Sequence, residues 1–110
     1  MDQQLRLARL VLESVEGPNQ TVTVDLVFQG NQIKRGQEYY GVWRDSAEGA
    51  ICPFVMDTDG NCDFGTGYSG EDRVYAFDIL QAPIGHGAQI GWRSGEYETQ
   101  MKIVGITQLI

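Results

Sequence analysis

Residues 21–28 read Thr-Val-Thr-Val-Asp-Leu-Val-Phe, with Val22, Val24, Leu26 and Phe28 on one parity and Thr21, Thr23, Asp25 and Val27 on the other. Alternation of this kind belongs to a strand that buries one face, because successive side chains leave a strand on opposite sides. Such a strand needs hydrogen-bonding neighbours at its edges and a second layer over its apolar face. The rest of the chain is therefore expected to supply sheet.

It carries the signals for it. Strand-like runs cover residues 38–44, 50–57, 62–65, 73–80, 87–93 and 97–109, the last interrupted near Gly105, and turn residues separate them. Fourteen glycines against three prolines fit many short elements joined by tight turns. The expected fold is mainly β, a small barrel or sandwich of about seven short antiparallel strands. A length of 110 residues with no linker or repeat reads as one domain over residues 1–110.

The first sixteen residues support two readings. On a helical wheel Leu5, Leu7, Ala8, Val11, Leu12 and Val15 share one side, with Arg6, Arg9, Glu13 and Glu16 opposite, Asp2 as N-cap and Gly17-Pro18 as a stop. Leu10 alone is misplaced. Gly17-Pro18-Asn19-Gln20 reads equally well as the loop of a hairpin joining residues 10–16 to 21–28. Strand is the preferred state for residues 9–16, because the clear strand that follows needs a partner close in sequence.

No apolar run approaches the ~20 residues of a membrane-spanning helix, and the opening residues lack the pattern of a secretory leader. A cytoplasmic location and no membrane partner are expected. Cys52, Cys62 and His86 are too few ligands for a structural zinc site, so no metal and no cofactor is expected. If Asp59-Gly60 is a two-residue hairpin turn, Asp57 faces Cys62. The two cysteines then fall on opposite faces of the sheet, as unbridged thiols.

The charge is unevenly distributed. All eight basic residues lie outside positions 45–72, whereas Asp45, Glu48, Asp57, Asp59, Asp63, Glu71 and Asp72 lie inside, so that window carries a charge equal to the chain's formal −7. If its loops gather at one end of the fold, that end is an anionic patch. Such a patch repels phosphate backbones, which disfavours direct nucleic-acid binding, and it attracts a basic protein surface or a cationic small molecule.

Two motifs inside the window fail at named residues. Asp57-Thr58-Asp59-Gly60-Asn61-Cys62-Asp63 opens like a calcium loop, but Cys62 stands where the glycine belongs and Tyr68 where the bidentate glutamate belongs, so a hairpin turn is the better reading. Gly65-Thr66-Gly67-Tyr68-Ser69-Gly70 has dinucleotide-loop spacing, yet no helix pattern follows, and Glu71 and Asp72 would repel a pyrophosphate. His86, between two glycines, has no nucleophile or orienting carboxylate at a recognisable spacing.

What remains is a binding reading: a non-catalytic or inhibitor-type protein presenting an acidic, aromatic-flanked surface to a basic partner. Its candidate residues are Asp57, Asp59, Asp63, Glu71, Asp72, Tyr40 and Tyr68. Alternation along residues 38–44 sends Tyr39 and Tyr40 to opposite faces, so one tyrosine has a route to solvent. The rival readings are a small-molecule-binding barrel lined by aromatics and a small carboxylate-dependent enzyme. An edge-to-edge homodimer is one way for a small sheet to cover its edges.

Overall fold

The computed structural model describes residues 4–65, 75–94 and 97–110. Among these described residues nine strands follow in order: β1 (Leu5–Ser14), β2 (Gly17–Gln29), β3 (Gln32–Ile33), β4 (Tyr39–Asp45), β5 (Ala50–Met56), β6 (Asn61–Asp63), β7 (Tyr75–Phe77), β8 (Gln89–Ser94) and β9 (Tyr97–Gln108), with a 3₁₀ turn at Asp78–Gln81. All ladders are antiparallel, in the order β1-β9-β8-β7-β6-β5-β4-β2-β3, and β1 also pairs with β2. Eight strands thus close a barrel as a plain meander, while β3 folds back on the end of β2 outside the ring. Their even number lets the first and last strands of the ring meet antiparallel. Of the barrel or sandwich of about seven antiparallel strands expected, the fold is the barrel, closed by eight.

The N-terminal segment is strand, not helix. β1 pairs Leu10 with Val24 and Leu12 with Val22, and turns Ala8, Leu10, Leu12 and Ser14 inward. Leu10, the residue that spoiled the helical wheel, has no exposed surface at all. The decisive term is the ladder on both sides of β1, since a helix there would leave β2 and β9 with open edges. The reversal between β1 and β2 also differs from expectation. It falls at Val15-Glu16, with Ser14 opposite Gly17, and Pro18-Asn19-Gln20 form an irregular insertion within β2. Proline tolerates this position because an irregular stretch of strand asks less of its missing N–H.

The interruption expected near Gly105 is a bulge. Val11 pairs with Gly105 and Leu12 with Ile103, so Val104 is the extra residue and the parity of β9 inverts there. Met101 and Ile103 face the core before the bulge and Ile106 after it, opposite Leu10.

Side chains fill the interior, as an eight-stranded barrel's dimensions allow. Leu10, Leu12, Val22, Val24, Leu26 and Met56 are fully buried. Beside them Trp92 lies edge-on to Phe77, with ring centres 5.2 Å apart, and to Phe54 at 5.9 Å; Phe64 and Tyr75 complete the cluster. Charged side chains such as Arg9, Asp25, Arg44 and Arg93 lie on the outside. Apolar inside and charged outside is the reverse of the polarity of a barrel facing lipid. No helix among the described residues is long and apolar enough to cross a membrane.

Candidate functional site

The direction of each strand decides where the acidic residues go. β4 ends and β5 begins at one end of the barrel, which carries Asp45 and Glu48. The turn between β5 and β6, at the other end, carries Asp57 and Asp59. The seven residues of β5 separate the two groups by roughly 20 Å. The described carboxylates of the 45–72 window therefore do not gather at one end.

Several of them are committed to backbone. Asp45 Oδ1 accepts the N–H groups of Ala47 and Glu48 at 3.0 and 3.3 Å, and Asp63 Oδ1 accepts that of Gly65 at 2.7 Å. Asp57 Oδ1 accepts the N–H groups of Asp59 and Asn61, both at 2.9 Å, and the bond from Asn61 does most to hold its carboxyl below the ordinary range. The same turn shifts the expected register by one residue. Gly60 adopts φ 90° and its N–H reaches Asp57 C=O, so three residues, Thr58 to Gly60, join the strands and Cys62 faces Met56 rather than Asp57. Cys52 and Cys62 consequently both lie buried as thiols on the same, inner side of the wall, not on opposite faces as expected. Burial, with a smaller contribution from Asp57, pushes the Cys62 thiol up to about 12.

The hairpin accounts for the calcium-like motif, and among the described residues no group of three or more His, Cys, Asp and Glu side chains is placed to hold a metal ion. His86 is exposed. Of the glycine-rich loop only Gly65 is described; Tyr68, Glu71 and Asp72 lie outside the described residues.

On the outer wall the registers assemble one feature from five strands. Arg9 pairs with Asp25; Tyr40 lies beside Asp25, one step along from the Val24–Gly41 pair; Tyr40 pairs with Val55, and Val55 with Asp63. Arg9, Asp25, Tyr40, Val55 and Asp63 thus form one lateral row. Within it Arg9 grips Asp25 through two bonds, Nε to Oδ1 at 2.8 Å and Nη2 to Oδ2 at 2.9 Å. Tyr40 is 67% exposed, whereas Tyr39 is buried and donates its hydroxyl to the Lys34 carbonyl at 2.6 Å.

Two residues further along the strands lie Val42 and Pro53, then Arg44 and Ile51, the latter 67% exposed. An open groove of about 620 Å³ runs over this face, lined among others by Arg9, Asp25, Tyr40, Val42, Pro53 and Asp63. Of the residues picked from sequence, Tyr40 and Asp63 line it directly. Asp57 and Asp59 sit in the turn just beyond Val55.

The sequence reading missed Arg9, Asp25, Val42, Ile51, Pro53 and Val55. Their signal was present in part: β4 and β5 carry apolar residues on both parities, which a strand with one wet face does not need.

The chain matches no protein-family model, no curated protein and no solved structure.

Proposed function

We propose that this barrel is a non-catalytic binding protein that presents the outer face of β2, β4, β5 and β6 to a basic protein partner. The observation that carries the reading is Tyr40, two-thirds exposed, on a row with Asp25 and Asp63 above an open groove. Exposed aromatic and aliphatic side chains ringed by charge are the usual composition of an interface centre and its rim. The formal charge of −7 favours encounter with a cationic surface. The alternative of a ligand held inside the barrel has less support, because the interior is already occupied by Leu10, Leu26, Met56, Phe77 and Trp92. A cytoplasmic setting belongs to the same reading, supported by two cysteines that serve as buried packing groups.

The test is affinity capture with the immobilised protein, its Tyr40→Ala and Ile51→Asp variants, and a control, Glu98→Gln, on the exposed face of β9 across the barrel from β5. A basic protein retained by wild type and control but lost by both face variants supports the assignment. Capture indifferent to Tyr40 and Ile51, or an acidic protein as the captured species, overturns it.

A further inference from the structure

The row through Tyr40 also constrains what a partner places there. We infer, on the strength of the binding reading above, that the partner docks an extended segment along β4 and β5 whose alternate side chains are an arginine, an apolar residue and an acidic residue. The argument follows the three outward rows of the face. The first offers Tyr40, Val55 and Asp63. Strands are about 4.8 Å apart, so the ring and the carboxylate stand roughly 10 Å apart, with the low side chain of Val55 between them.

A guanidinium suits that gap. Its plane stacks on an aromatic ring, its fork of N–H donors meets a carboxylate, and its methylene stem packs on an apolar floor. The face performs half of this chemistry on itself already, through the two-bond fork of Arg9 on Asp25.

The second row, about 7 Å further along the strands, is Val42 and Pro53 and has no charge to satisfy. The third, about 13 Å from the first, holds Arg44 beside exposed Ile51. Arg44 repels a cation and attracts an anion. A uniformly basic segment is therefore disfavoured, and selectivity resides in the order of charges, through the repulsive element as much as the attractive one. Side chains two apart in an extended segment repeat at the same ~7 Å spacing as the rows, which is what fits an extended segment to this face.

Peptides of sequence Arg-Thr-Val-Thr-Glu, its reverse Glu-Thr-Val-Thr-Arg, the Arg-Thr-Val-Thr-Arg homologue, and citrulline versions of the first two are titrated into isotope-labelled protein and followed by amide chemical shifts. The inference expects one of the two mixed-charge peptides to perturb Tyr40, Val42, Val55 and Asp63. It also expects that peptide to bind about tenfold more tightly than its citrulline version and more tightly than the doubly basic one. Tyr40→Ala and Asp63→Asn, the latter keeping the acceptor for Gly65, each weaken binding about fivefold or more. Glu98→Gln, on the exposed face of β9 across the barrel from β5, does not. Equal affinity of the citrulline peptide, tighter binding of the doubly basic peptide, or indifference to Tyr40→Ala overturns the inference. If one of those results accompanies capture of a basic protein through the same face, the arginine anchor fails while the binding reading stands. If no basic protein is captured either, both fall.

Discussion

The ring of Phe54 lies over Gly41, its partner across the β4–β5 ladder, so closely that a Cβ on Gly41 would stand 2.4 Å from the ring and 2.9 Å from the carbonyl oxygen of Thr23. Glycine is required here for space. Its missing side chain lets the ring cover the backbone of a strand in the barrel wall, a device that pins register where a closed sheet must curve. Gly41→Ala is expected to lower stability by about 1–3 kcal/mol through overpacking. Gly17→Ala, where nothing lies within 4 Å of the added carbon, gives the comparison. Parallel urea melts check the pair, and equal midpoints would refute the packing argument.

Trp92 ties four aromatic side chains together, with ring-centre distances from 5.2 Å to Phe77 up to 6.4 Å to Phe64. Its replacement leaves a void that rigid neighbouring strands cannot close. Trp92→Ala should cost about 3–5 kcal/mol, whereas Trp92→Phe should cost markedly less. Chemical denaturation followed by far-ultraviolet circular dichroism measures both.

Asp57 organises the β5–β6 turn by accepting two backbone N–H groups. Asp57→Ala should destabilise the protein by about 1–2 kcal/mol near neutral pH, and Asp57→Asn, which keeps an acceptor, by less. The sign of the pH effect follows from the lowered carboxyl pKa of Asp57. Its contribution is complete above the unfolded value of about 4 and disappears as pH falls through the folded value below that. The gap between wild type and Asp57→Ala should therefore narrow on acidification, read from thermal melts between neutral pH and about pH 2.

The Cys62 thiol, raised to about 12, stays protonated and shielded in the folded protein. Native protein at pH 8 should resist iodoacetamide at Cys62 and react there fully in denaturant, as site-resolved mass spectrometry will show. Because the folded value exceeds the unfolded one, the stability linked to this thiol is complete below the unfolded pKa of about 8.5 and is lost as pH rises toward about 12. Rapid native labelling would contradict the burial.

Much of the architecture is legible in the chain. The alternation of Val22, Val24, Leu26 and Phe28, the turn residues at 57–60 and the break at Gly105 identify a small all-β fold and locate most strands, because these signals depend only on which face of a residue meets water and on which φ a turn demands. The first strand was harder to read. Residues 5–15 satisfy helical and strand periodicities almost equally, and only the unpaired edges of β2 and β9 decide between them.

The face built from β2, β4, β5 and β6 was less legible still, although Tyr40 and Asp63 were singled out. That Arg9, Asp25, Tyr40, Val55 and Asp63 share a row follows from four separate registers, and each register rests on a turn or bulge whose geometry local composition leaves open by one residue. Gly60 with its positive φ shows the consequence: one residue added to a turn brought Cys62 to the inner face, the side Cys52 also occupies, and set Asp63 opposite Val55. The charge of the central window, by contrast, is a property of the sequence alone. The separation of Asp45 and Glu48 from Asp57 and Asp59 to opposite ends of the barrel is a property of the fold, because successive antiparallel strands deliver successive turns to alternate ends.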